Sequence, residues 1–172
     1  MFKTDTGEIL DLVDRDDKVI GQKKRSEIYA ENLSNFRVIN VFVVNKEEKI
    51  WIPRRSPDKR MFPLCLDMSV GGHVGTGETY EEAFRRETME ELGVNIDDYA
   101  WKEIGKLTPH QDGISAFSRV YQISMEKTPN YNEQDFTEYF WLTPREFFRK
   151  LKAGDKAKED LPKIIERFYG TN

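Results

Sequence analysis

With Cys65 as the only cysteine in 172 residues, no internal disulfide is possible. No histidine lies near it in the sequence to activate a thiolate, so Cys65 reads as a small buried apolar residue rather than a nucleophile. No apolar run approaches the ~20 residues of a membrane span, and the opening stretch MFKTDTGEIL lacks the apolar core of a secretory leader. Positive charge is not in excess either. A formal net charge of -4 argues against a broad nucleic-acid-binding face. Internal repeats, low-complexity tracts and linkers are also missing. What is present is 34% charged and 38% apolar residues, a globular composition in a chain long enough to bury its own core. The expectation is one domain over 1–172, with an extension at 1–35 and a core at 36–172. A cytoplasmic enzyme with a small-molecule substrate and no membrane or nucleic-acid partner fits these features, and so do many other proteins.

The order of elements predicts an α/β fold. Residues 8–22 read as a β-hairpin around Arg15-Asp16-Asp17, and 25–31 as a short helix. The apolar runs at 36–44 and 49–53 read as buried strands about the turn Asn45-Lys46-Glu47-Glu48, and 66–70 as a short strand stopped by Gly71-Gly72. Thr79 with Glu82 forms a capping box that opens a helix to Leu92, and Gly93 closes it. Strands follow at 101–108, 115–124 and 139–142. Thr143-Pro144-Arg145-Glu146 starts a helix ending near Gly154, and a last helix covers 161–169. This order predicts a mixed sheet with helices on both faces.

Chemistry concentrates in residues 72–94, GHVGTGETYEEAFRRETMEELGV. On a helix, Glu87, Glu90 and Glu91 share one stripe about 100° wide. Three carboxylates so placed repel one another and destabilise an isolated helix. A solvated acidic face is the ordinary explanation of such a run. Against it stand the glycine pair before the helix, where backbone approaches a ligand closely, and Arg86, able to aim and partly neutralise Glu87. Carboxylate oxygens, backbone carbonyls and water are the donors that Mg²⁺ or Mn²⁺ prefers.

These residues resemble the signature of the Nudix hydrolases: a glycine, five residues, a glutamate, seven residues, arginine-glutamate, then paired glutamates followed by glycine and an aliphatic. Gly72, Glu78, Arg86, Glu87, Glu90, Glu91, Gly93 and Val94 match it. Thr88 departs from it, standing where an aliphatic residue is expected, and should face the sheet rather than the metal. The resemblance implies an α/β/α sandwich around a mixed sheet. It also implies that Glu87, Glu90 and Glu91 hold Mg²⁺ (with Mn²⁺ able to substitute), joined by the backbone carbonyl of Gly71 or Gly72. Glu78 and Arg86 would form a salt bridge fixing loop to helix, with Glu87 as general base. Asp135 or Glu138 stands where family members place an additional acidic ligand or base; ordinary loop acids are the equal alternative.

Resemblance runs further, from about residue 9 to 141. VDRDDKVIGQ, PRRS and SVGGH are similar to the isopentenyl-diphosphate isomerase branch of the same superfamily. That branch places a catalytic cysteine where Gly71 stands, and builds a metal site from three histidines. This chain has only His73 and His110, and SAFSRVYQIS offers no acid for the late-strand glutamate. Isomerisation is therefore not expected. WIPRRSP, DMSVGG and GETYEEAFRRE look closer to hydrolases of nucleoside di- and triphosphates, with pyrimidine nucleotides preferred. Pro109, 15 residues past Val94, matches the marker proline of ADP-ribose pyrophosphatases and keeps that as the alternative, although a lone proline is usually a turn residue. The tyrosine marker of dinucleoside-polyphosphate hydrolases is missing, since Gln111 and Asp112 occupy its place. Arg54, Arg55, Lys59 and Arg60 are candidate phosphate contacts, at least two of them expected to be solubilising loop cations. Phe62, Phe117 or Tyr121 is a candidate for stacking on a base, with core packing the default. His73 is expected to be a satisfied loop histidine. An idle binding domain would be expected to lose carboxylates from the box, and none is missing. Monomer and homodimer both remain open.

Overall fold

A computed structural model describes residues 7–170. Residues 1–6, part of the stretch expected to lack a leader's apolar core, lie outside the described residues. The chain begins with β1 (Ile9–Val13), β2 (Val19–Lys24) and α1 (Arg25–Ala30). Then come β3 (Arg37–Val44), β4 (Ile50–Arg55), β5 (Val70–His73) and α2 (Tyr80–Leu92). A 3-10 turn at Ile96–Asp98 leads to β6 (Trp101–Leu107), α3 (Pro109–Asp112) and β7 (Phe117–Ser124). The last elements are β8 (Phe136–Leu142), α4 (Pro144–Lys152) and α5 (Leu161–Tyr169).

Strands β1 and β2 pair antiparallel as the expected hairpin. Asp14 organises its turn by accepting the N–H groups of Asp16 at 2.9 Å and Lys18 at 3.0 Å. The main sheet has the order β6-β7-β3-β4-β8, with β5 also paired to β3. Only the β3–β7 pair is parallel, so the sheet is mixed as predicted.

The central strand is apolar on both faces, which explains its nearly continuous hydrophobic run. Ile39, Val41 and Val43 pack with Phe84 and Leu92 of α2. Phe42 and Val44, pointing the other way, pack with Phe147 of α4 and Leu161, Ile164 and Ile165 of α5. A third cluster joins the extension to the rest through Leu10, Ile28, Phe36 and Ala116.

Both capping boxes form. Thr79 Oγ1 accepts from Glu82 N at 3.2 Å while Thr79 N donates to Glu82 at 2.8 Å, and Thr143 and Glu146 repeat the pattern with Pro144 in the first turn of α4. Gly93 ends α2 in the left-handed region at φ 63°, which suits glycine.

Three local expectations need correction. The strand placed at 66–70 is instead β5, Val70–His73, and runs through the glycine pair rather than stopping at it. Pairing with β3 overrides the poor strand propensity of glycine, and Leu66 makes only isolated bridges to Arg54 and Ala157. Strand β8 starts at Phe136 rather than 139, because Arg55 and Arg54 supply it with partners. Pro109 is no turn residue: it opens the one-turn α3 behind the N-cap Thr108.

One consequence of the pairing positions the site. Strand β5 covers β3 over Val38 to Val41, whereas β4 meets β3 only at Val44. The sheet thus forks beside β3. On its other edge β5 has no strand partner among the described residues, so the outward carbonyls of Val70–His73 are free of the ladder.

Candidate active site

Arg86 anchors the box. Its Nε and Nη2 donate to the two carboxylate oxygens of Glu78 at 2.8 and 2.9 Å, a bidentate pair. Nη1 donates to Glu87 at 2.7 Å and Nη2 to the His73 carbonyl at 3.0 Å. One guanidinium therefore ties the loop, the end of β5 and the carboxylate of Glu87 together, as the expected Glu78–Arg86 bridge required. The Arg86 hydrogen bonds hold the Glu78 carboxyl below its ordinary range, and the Gly75 N–H helps. The bonds to Glu78 in turn raise the guanidinium pKa further.

Glu87 is buried, and its carboxyl lies directly over Gly72. A Cβ at position 72 would overlap Cδ, Cγ and Oε1 of Glu87, so the missing side chain there makes room for the carboxylate. Gly71 is its neighbour on the opposite face, where a Cβ would lie 3.7 Å from Lys158 Nζ. Glu91 lies in the same charge cluster. Burial pushes its carboxyl well above the ordinary range, and the negative charges of Glu87, Asp67 and Asp135 push it further, with Lys158 opposing. Glu90 sits one turn beyond Arg86, at 3.7 Å from it, with its side chain 45% exposed.

Several candidates fall elsewhere. Glu138 pairs with Arg54 at 3.2 Å rather than joining the cluster, so Asp135 is the later acid that acts on Glu91. Arg54 is also bound to Asp155 at 2.9 Å and the Leu64 carbonyl, and Arg55 to Asp67 at 2.7 Å and the Met61 carbonyl. Lys59 is bound to Asp135. Phe117 and Tyr121 are core residues; Tyr121 stacks on Phe84 at 4.2 Å. Phe62 is half-buried in a loop at φ 52°. His73 meets the Tyr29 hydroxyl at 2.7 Å and stacks on Phe36, a satisfied histidine. Cys65 is buried. Thr88 faces the core, fully buried, with no hydrogen-bond partner for Oγ1 among the described residues.

Sequence reasoning missed Asp67 and Lys158. Asp67 is an acid inside the buried run CLDMSV at 65–70, a signal that was available. Burial alone would raise its carboxyl, but Lys158 and Arg55 overcome that and hold it below the ordinary range. Lys158 carries no local signal. It arrives because Leu66 N donates to Lys156 O and Lys158 N donates to Leu66 O, both at 2.8 Å.

Among the described residues no three histidine, cysteine, aspartate or glutamate side chains are already gathered closely enough to grip a metal ion; Glu87 is turned to Arg86. The donor set nevertheless fits a hard divalent cation. Its members are oxygen donors; desolvation first, and then the neighbouring negative charges, raise the Glu91 carboxyl, and a bound cation would offset those charges. Two open concavities of about 680 and 690 Å³ flank the loop of the box, the first lined by Glu78 and Arg86 and the second by Tyr80 and Arg119. Neither is lined by Glu87 or Glu91. Among the described residues no helix is long and apolar enough to cross a membrane.

Comparison with known proteins places this arrangement. The model of the NUDIX domain matches residues 35–167. The chain is 55% identical over 162 residues to an uncharacterised Nudix hydrolase of Nostoc sp., covering 94% of this chain and 96% of that one. It is 45% identical over 162 residues to a Nudix hydrolase of Deinococcus radiodurans, covering 94% of each. A 1.9 Å crystal structure of a Deinococcus radiodurans protein superposes with a TM-score of 0.88 at 44% identity, covering 94% of this chain and 99% of that one. Hydrolases of this family generally use divalent cations and cleave phosphorus-containing anhydrides of small nucleotide substrates. The box geometry and these similarities agree: the chain belongs to the Nudix hydrolase family.

Proposed function

We propose that this hydrolase cleaves the diphosphate linkage of a nucleoside di- or triphosphate, pyrimidine nucleotides foremost, by attack of water on phosphorus with Mg²⁺, for which Mn²⁺ substitutes. The observation that carries the reading is the Glu87 carboxyl, seated over the gap left by Gly72 and held by Arg86, with the negative charges of Glu87, Asp67 and Asp135 acting on Glu91. Glu87, Glu90 and Glu91, with the carbonyl of Gly71 or Gly72, are the groups that would hold the cation, and Asp135 is the added acid. When bound, the cation supplies electrophilic stabilisation of the diphosphate and of the departing phosphate.

The protein's own residues supply the rest. Arg86 aims Glu87, which takes the proton of the attacking water as general base. A P–O bond to the water forms and the P–O bond to the leaving phosphate breaks, its electron pair departing with that phosphate. Burial of Glu87 keeps bulk water from screening the charges involved. We read 1–35 as an extension of one domain spanning 1–172, acting in the cytoplasm, and the shared cluster of Leu10, Ile28, Phe36 and Ala116 supports the docking.

The test is a panel of nucleoside di- and triphosphates, dinucleotides and ADP-ribose with Mg²⁺ or Mn²⁺, scored for phosphate and pyrophosphate release. Hydrolysis of a nucleoside di- or triphosphate is expected. Turnover of ADP-ribose alone replaces this reading by the alternative suggested by Pro109. Activity equal in EDTA and in Mg²⁺ contradicts the metal assignment.

A further inference from the structure

Of the named cations at the forked edge of the sheet, Lys158 is the least committed. Arg54, Arg55 and Lys59 are each hydrogen-bonded to a carboxylate. Lys158 reaches Asp67 only at 3.9 Å, too long for a hydrogen bond, and its side chain is 31% exposed. Its backbone is fixed all the same. The bridge of Ala157 to Leu66 and the pair Arg54–Asp155 strap residues 155–158 across the base of the fork. The ammonium is delivered beside Gly71, where a Cβ would be in ordinary contact with Nζ at 3.7 Å.

We propose that Lys158 is a substrate-binding residue that receives a phosphate oxygen of the diphosphate; this rests on reading the edge as a diphosphate-hydrolysing site. A polyanion entering a nest of carboxylates needs positive charge there beyond what those carboxylates consume. Asp67 keeps Arg55 as its partner at 2.7 Å when Lys158 swings away. A point charge on a flexible four-carbon stem can follow a phosphate group, whereas the forked, doubly bonded guanidinium of Arg54 cannot.

Calorimetric titration with methylenediphosphonate in Mg²⁺ tests this without requiring turnover. Lys158→Gln should weaken binding about tenfold or more, and Lys158→Arg should restore most of it, because a charge-assisted phosphate contact is lost and regained. Mg²⁺ affinity in the absence of diphosphonate should not fall in either variant, and Tm should stay within a few degrees of wild type. A merely structural lysine would lower Tm and leave the affinity of the folded protein unchanged. Equal affinity of wild type and Lys158→Gln overturns the proposal, as does a wild type that binds no diphosphonate. A wild type that binds it, loses it on Lys158→Gln and yet hydrolyses no nucleotide supports Lys158 and refutes the proposed substrate instead.

Discussion

Gly72 and Thr88 make opposite contributions at the scale of single residues. The first is defined by what it lacks, since any Cβ there would overlap the Glu87 carboxyl. Gly72→Ala is expected to displace Glu87, lower stability by about 1–3 kcal/mol through overpacking, and cut hydrolysis about 100-fold or more through loss of the aimed base. Thermal melts and steady-state kinetics check both. Thr88 departs from the family pattern and leaves a hydroxyl buried with no partner among the described residues. Replacing it by valine removes an unsatisfied polar group, worth about 1 kcal/mol or more. Thr88→Val should therefore raise Tm by roughly 2–4 °C without changing kcat. A lower Tm would show that the hydroxyl is satisfied by a buried water.

Helix α2 carries the site, and its two ends do different work. The Thr79–Glu82 box fixes the start, while Glu87, Glu90 and Glu91 lie in the second half. Thr79→Ala should cost about 1 kcal/mol and lower Tm by roughly 2–4 °C, leaving hydrolysis near wild type because Arg86 still holds Glu87. This helix was legible in the sequence because each of its signals is local: a capping box, a stripe and a terminal glycine. Strand β5 is misplaced from sequence because its position depends on pairing with β3, 29 to 35 residues upstream in the chain. Lys158 was invisible for a similar reason, since its place is set by the backbone of Leu66. Arg54 and Arg55 carried the right charge for phosphate contacts, yet only the fold brings Asp155 and Asp67 to them. Asp67 itself was overlooked inside an apolar run, where a buried acid is the informative residue.

For the molecule as a whole, the desolvation and crowding of the Glu91 carboxyl are a cost carried by the metal-free fold. Binding of Mg²⁺ to the native state alone stabilises it by about 2.7 kcal/mol at a hundredfold excess over Kd, a rise in Tm of roughly 5–10 °C. Glu91→Gln should abolish that rise and at the same time raise the metal-free Tm above wild type, because one of the crowded carboxylates is gone. A lower metal-free Tm in this variant would mean that the cluster is not repulsive. From residue 7 on, the N-terminal hairpin and α1 are tied to the rest by the Leu10, Ile28, Phe36 and Ala116 cluster and by hydrogen bonds of Asp11 to Gly77 and Tyr29 to His73, so their influence on catalysis should be indirect.

The central claim, that the acids of α2 drive metal-dependent hydrolysis, is tested most directly by the rate of phosphate or pyrophosphate release from the preferred nucleotide in Mg²⁺. Glu87→Gln should be slower than wild type by about 10²–10⁴-fold, the contribution of a positioned general base, with its fold intact by circular dichroism. Release at near wild-type rate from the Glu87→Gln enzyme would contradict the account.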